Sequence, residues 1–200
     1  MGDGSTGYML TDSLATEEFG GPTCHWPKAV AVPHSRTVVA VRGHSTFIFF
    51  AMAAAGKYND FDAVVAEWYR NCEIGLALMG PSYHNVEFYV MGWSQPAARV
   101  RAFLSTAASN FAPQFFDAAM IAPGYDPELV TMHDLEGPLT WSDQPASLLR
   151  IMKMQRAKAA AGTGEHYGII GGVATLTTLT RDRIEQRIVH TWSDDEAPLK

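Results

Sequence analysis

Hydrophobic residues alternate in some stretches of the chain, run unbroken in others, and recur at helical spacing in a few. Lys28-Ala-Val-Ala-Val-Pro33 alternates weakly, and Thr37-Val-Val-Ala-Val41 is nearly all apolar. With His34-Ser35-Arg36 as the turn, the two predict a β-hairpin whose second strand is buried on both faces. Tyr8 to Thr11 predicts a short strand that stops at Asp12. Thr16 to Pro27 holds Gly20, Gly21, Pro22 and Pro27 and predicts a long irregular connection. Thr46 to Ala55 is apolar all round, which predicts a helix inside a layered fold, capped by Ser45 and ended by Gly56. Phe61, Val64, Val65, Trp68, Cys72 and Leu76 follow helical spacing. They predict a helix from Phe61 to about Met79, with Asn59 or Asp60 as cap and Gly80-Pro81 as stop.

Val86 to Gly92 and Arg99 to Ser105 predict an antiparallel hairpin across the polar turn Trp93 to Ala98. Ala107 to Tyr125 is ambiguous, with a short helical turn around Pro113 to Ala119. Asp143 is positioned to cap a third helix, Pro145 to about Lys158, because proline is tolerated in a first turn. Gly172 to Thr180 and Glu185 to Trp192 predict two strands around Arg181-Asp182-Arg183. Hairpins dominate this order, so the fold class is α+β. The natural packing is a four-layer α/β/β/α sandwich of two mainly antiparallel sheets. A single domain over 1–200 is expected, with a glycine-rich arm at 1–7 and an acidic tail at 193–200. There is no internal repeat.

The chain has 200 residues, 47% of them hydrophobic and 18% charged, so it carries enough apolar mass for a real core and disorder is excluded. A net charge of −6 argues against a broad basic groove, so no nucleic-acid partner is expected. Arg99, Arg101, Arg181, Arg183 and Arg187 fall at strand or turn positions that solvated strand edges explain as well as a basic face does. The N-terminus lacks the basic start and apolar stretch of a secretory signal. The longest apolar run, Thr46 to Gly56, is too short to span a bilayer, so no membrane partner is expected. Met-Gly-Asp-Gly-Ser-Thr fits the myristoylation pattern only formally.

Cys24 and Cys72 lie outside any CxxC motif and read as reduced thiols of a cytoplasmic-type protein. Seven histidines raise the question of a metal. Cys24 and His25 are adjacent, however, and point apart on extended backbone, His34 and His44 flank a strand, and no HxH or HExxH occurs. No metal and no cofactor are expected. Gly162-Thr-Gly164 and Gly171-Gly172 are not phosphate loops. Gly92-Trp93-Ser94 lacks the second glycine of a nucleophile elbow, and Ser105-Thr106 has no assignable base. Trp26, Trp93, Trp141 and Trp192 read as core-closing or interface residues.

Three segments carry a family resemblance: Thr11-Asp12-Ser13-Leu14-Ala15-Thr16, then Lys28-Ala29-Val30, then Val38-Val39-Ala40-Val41-Arg42-Gly43 before an apolar helix. Together they resemble the N-terminal third of proteasome-type subunits. The nearest likeness is to the bacterial proteasome-like peptidases among the N-terminal-nucleophile hydrolases, and more loosely to their relatives encoded in phage and prophage gene sets. In that family an Asp ends the second strand, a Lys opens the third about sixteen residues later, and a following strand finishes at a Gly. Asp12, Lys28 and Gly43 stand at those places. The resemblance implies a first-residue hydroxyl or thiol nucleophile with the free α-amino group as base. It also implies a Lys that lowers the nucleophile's pKa, an Asp that orients the Lys, and a backbone N–H near the Gly that binds the oxyanion.

Here the resemblance breaks at the nucleophile, whose expected position falls before Met1. Asp12, Lys28 and Gly43 then stand as relics, and no catalytic residue is expected. Cleavage at Gly4-Ser5, or trimming to Thr6, would instead expose a hydroxyl nucleophile, but on very short hairpin arms. The expected function is a non-catalytic structural or assembly protein with a proteasome-like fold. It would be an oligomeric component of a phage-type virion, in the tail or on the capsid. Self-association and other particle proteins are its expected partners, and its expected place is the cytoplasm during assembly and then the virion. The alternative is an N-terminal-nucleophile peptidase or amidohydrolase activated by processing at Ser5 or Thr6.

Overall fold

A computed structural model describes residues 4–15, 24–77, 86–116, 144–160 and 170–193. In chain order these form strands β1 (Thr6–Thr11), β2 (Leu14–Ala15), β3 (Cys24–His25), β4 (Ala29–Val32) and β5 (Thr37–Arg42), then helices α1 (Phe47–Gly56) and α2 (Phe61–Ala77). Strands β6 (Glu87–Ser94), β7 (Arg99–Thr106) and β8 (Gln114–Phe116) follow, then helix α3 (Gln144–Ala160) and strands β9 (Val173–Thr180) and β10 (Ile184–Thr191). β4 to β8 build a five-stranded antiparallel sheet in chain order, and a three-stranded sheet has the order β1-β9-β10. β2 and β3 form a separate two-stranded ladder that pairs Leu14 with His25 and Ala15 with Cys24. The fold is mixed α+β with antiparallel sheets, as the hairpin spacing predicts.

Two compact units divide the chain. One comprises Met1–Gly7, Lys28–Met120 and Thr177–Glu185, and the other Tyr8–Pro27, Ile121–Leu176 and Gln186–Lys200.

In the first unit the predicted β4–β5 hairpin forms around a 3₁₀ turn, Pro33–Ser35, and the next residue, Arg36, takes the left-handed conformation at φ 51°. The Ser35 hydroxyl donates to the Val32 carbonyl and the Thr37 hydroxyl to the Ser35 carbonyl, so the turn satisfies its own buried polar groups. Val38 and Val39 are both fully buried. Helices α1 and α2 pack together and against this sheet. The core is aromatic: the Trp68 ring meets Phe88 and Phe103 edge-on, with centroids 5.5 and 5.4 Å away. Gly92 of β6 makes room for Phe61, since a Cβ there would lie 2.1 Å from Phe61 Cδ2. The cap expected for α2 is realised at Asp60, whose Oδ1 accepts the Ala63 N–H at 2.8 Å.

The structure corrects several expectations. Helix α1 begins at Phe47; Thr46 occupies the cap position with no side-chain cap bond, and Ser45 does not cap it. His44 Nδ1 instead lies 2.8 Å from Thr46 Oγ1. Nor is α1 enclosed all round. Phe47, Ile48, Ala51, Ala54 and Ala55 are buried, while Phe49 and Met52 are 52% and 38% exposed. A helix can lay only part of its circumference against a sheet and a neighbouring helix, so an all-apolar one leaves an apolar stripe outside. The segment after Pro113 forms strand β8 rather than a helical turn. It pairs with β7, and Phe115 sits against Phe103 (centroids 5.8 Å apart) and under the Arg101 guanidinium at 3.9 Å. Strand β6 runs on through Trp93 and Ser94, so the turn to β7 is Gln95–Ala98. Within the connection Thr16 to Pro27 expected to be irregular, Cys24–His25 forms a strand that pairs with Leu14–Ala15 just before it. The expectations for Gly2, Gly80-Pro81, Trp141, Asp143 and the tail beyond Ser193 lie outside the described residues.

In the second unit, α3 contributes Met152 to a core with Ile170, Ala174 and Trp192, flanked by Leu10, Leu149 and Val189. The Arg156 guanidinium lies 5.2 Å from the Trp192 ring centroid and donates to the Ile170 carbonyl. Among the described residues, no helix is long and apolar enough to cross a membrane.

Candidate functional site

The best-defined polar cluster lies within the second unit, where β1 ends. The Asp12 side chain turns back on the chain, and its Oδ2 accepts the N–H of Leu14 at 3.2 Å and that of Gly171 at 3.1 Å. Ser13 N–H and Leu14 N–H both approach the Gly171 carbonyl, at 3.3 and 3.2 Å. The Ser13 carbonyl accepts the Trp26 N–H at 2.7 Å, which holds the β3 end beside it. Ser13 Oγ accepts the Val173 N–H at 3.0 Å and lies 3.2 Å from His25 Nδ1. A serine hydroxyl has one O–H to donate, and in the tautomer that leaves Nδ1 unprotonated it donates this hydrogen bond to His25. Gly172 is the floor under this pair. Its φ is +71°, and a Cβ there would sit 2.4 Å from both His25 Nδ1 and Ser13 Oγ. Only glycine meets both conditions.

The pair opens onto a cleft of about 340 Å³, walled by Trp26, Pro27, Val173 and Trp192, with the threonines Thr175 and Thr191 also on its lining. Among the described residues, no lysine, arginine, aspartate or glutamate lines it.

The three positions carried by the resemblance each lie beside a strand end, with β2 and β3 between the first and the second. Asp12 follows β1 directly, and Lys28 directly precedes β4, with its carbonyl accepting the Val41 N–H at 3.2 Å. Gly43 directly follows β5 at φ 115°. Gly43 lines a second cleft, of about 460 Å³ in the first unit, beside Arg42, Glu87 and Thr106. There Glu87 Oε1 accepts from Arg42 at 3.3 Å while its Oε2 accepts the Tyr89 hydroxyl at 2.5 Å. Burial, and then Glu87, hold the Tyr89 phenol far above its ordinary range. Ser5 is exposed and Thr6 opens β1, and the residue before them is tied down: the Gly4 carbonyl accepts the Val100 N–H at 2.7 Å.

Sequence reasoning had no role for Ser13 or His25. Their approach depends on Gly171–Val173, far along the chain, and the only trace in the sequence is a Gly-Gly pair opening a strand, a mark of close backbone approach. Cys72 is buried on α2, and burial pushes its thiol up to about 12 despite a hydrogen bond with Ser105. Of the arginines weighed as a basic face, Arg181 and Arg183 lie beside Asp182 (4.0 Å) and Glu185 (2.9 Å). No group of three or more histidine, cysteine, aspartate or glutamate side chains converges among the described residues. No family model matches the chain, and no curated protein matches it.

Proposed function

We propose that the chain is a structural or assembly protein of proteasome-like, four-layer fold. It works by self-association within a phage-type particle and not through an N-terminal nucleophile. One observation carries the self-association. The outer stripe of α1, Phe49, Met52, Ala53 and Gly56, is exposed and has no polar side chain, whereas a helix facing water ordinarily carries charge there. On α2, which packs against α1, Tyr69 (41% exposed) and Ile74 (57% exposed) add further apolar surface. The placement of Asp12 after β1, Lys28 before β4 and Gly43 after β5 supports the likeness to proteasome-type subunits, on which the particle setting rests. Sedimentation of the purified chain tests the association: an oligomer is expected, and Phe49→Glu with Met52→Glu is expected to return it to monomer with unchanged circular dichroism. A wild-type chain that stays monomeric over a wide concentration range rejects the proposal.

The strand-end placement of Asp12, Lys28 and Gly43 also favours a second reading, a hydrolase activated by processing at Ser5 or Thr6. Cleavage there would sever the anchored Gly4 from the strand it leads into. Intact mass separates the two readings, because a mature terminus at Ser5 or Thr6 supports the hydrolase and a full-length chain opposes it.

A further inference from the structure

We infer that Ser13 and His25 form a nucleophile–base dyad that hydrolyses small esters with uncharged acyl groups, a chemistry independent of any N-terminal nucleophile. Three features bear on it together. Ser13 Oγ lies 3.2 Å from His25 Nδ1, within reach for the proton a base must take. The Val173 N–H points at the same Oγ from 3.0 Å, which fixes the oxygen and steadies the charge that grows on it as its proton leaves. Both residues line one cleft, over a glycine whose missing Cβ is what allows the two side chains to meet there.

The cleft selects the substrate class. Its volume of about 340 Å³ lies at the small end of ligand sites. Indole, proline and valine walls favour an apolar acyl chain. With no lysine, arginine or acid among the described lining residues, a phosphate, a carboxylate or an amine would enter without a counter-charge.

The reaction balances with water as the only co-substrate. Ser13 Oγ bonds to the ester carbonyl carbon as its proton passes to His25 Nδ1. The carbon–alkoxy bond breaks, and the leaving alcohol takes that proton. Water then gives a proton to Nδ1 and bonds to the acyl carbon. The Ser13–acyl bond breaks, Oγ recovers the proton, and the carboxylic acid departs.

The test treats the full-length folded chain with a fluorophosphonate–biotin probe, maps the adduct by peptide mass spectrometry, and follows p-nitrophenyl butyrate hydrolysis. A single adduct on Ser13 is expected. His25→Gln keeps a hydrogen-bonding partner near Ser13 but cannot serve as base, so it should slow both labelling and hydrolysis roughly 10²- to 10⁴-fold. Ser13→Ala should abolish both. An unlabelled wild-type chain, an adduct at another residue, or a His25→Gln chain that labels as fast as wild type overturns the dyad. In each of these cases Ser13 is only a clamp between the β2–β3 ladder and β9. The wild-type map decides even where a variant fails to fold, and sedimentation of the same sample keeps the assembly proposal separately answerable.

Discussion

Asp12 Oδ2 accepts the amide of Gly171 at 3.1 Å across 159 positions of sequence. The same oxygen accepts Leu14 N–H, so one buried carboxylate oxygen closes a short local turn and a long-range contact together. Asp12→Ala leaves the Gly171 amide without this acceptor, at about 1–3 kcal/mol, while Leu14 N–H keeps the Gly171 carbonyl at 3.2 Å. Asp12→Asn keeps a carbonyl oxygen in place and should lose much less. Denaturant unfolding of the two variants checks the order, and equal losses would show that the two bonds carry no weight.

Gly172 and Gly56 should respond oppositely to alanine. At 172 the new Cβ meets His25 and Ser13 at 2.4 Å on a backbone with φ +71°. Strain of this kind costs about 1–3 kcal/mol, so Gly172→Ala should lower Tm by several degrees. At 56, the last residue of α1, a Cβ meets nothing within 4 Å and φ is not positive. Gly56→Ala should be neutral or stabilising by up to about 1 kcal/mol.

Stability should fall from weakly alkaline pH upward. In the folded chain the Cys72 thiol is pushed from 9.0 up to about 12, and the Tyr89 phenol is raised too. Above pH 9 the unfolded chain therefore releases protons that the folded chain keeps, which favours unfolding. The stabilising contribution is full below pH 9 and is lost as pH rises toward 12. Cys72→Ala and Tyr89→Phe should each flatten the decline seen in urea melts across this range. At pH 8 Cys72 should also resist iodoacetamide until denaturant is added, as peptide mass spectrometry would show.

Asp62 joins the start of α2 to the turn after β6, accepting the Ser94 hydroxyl at 2.7 Å and the Gln95 N–H at 2.9 Å. Its charge also lies in the first turn, where the helix dipole favours an acid. Asp62→Ala should cost about 1–3 kcal/mol, and Asp62→Asn less. Thermal melts of both variants check this, and a loss within error for Asp62→Ala rejects the clamp.

The sheet around β5 was legible because hydrophobic runs, turn residues and a second hairpin at Val86–Ser105 all specify local pairing. Helix α1 was legible as a helix, but not which side faced out: ten residues without a polar side chain carry no periodicity to mark a surface. β8 was hidden because Pro113 suits the start of a helical turn, and the strand is chosen by β7, whose edge supplies bonds and whose Phe103 receives Phe115. The Ser13–His25 contact was the least legible. Its two partners lie twelve positions apart, and the backbone that brings them together comes from residues 171–173.

The spatial demand at Gly172 bears on how relatives of this chain should be compared. Every substituent there collides with the Ser13 and His25 side chains and strains a dihedral of +71°, so this position is constrained mechanically whether or not the pair above it carries out any reaction. A glycine at this place would be a landmark for aligning distant sequences, whereas a capacity for hydrolysis would have to be judged from positions 13 and 25.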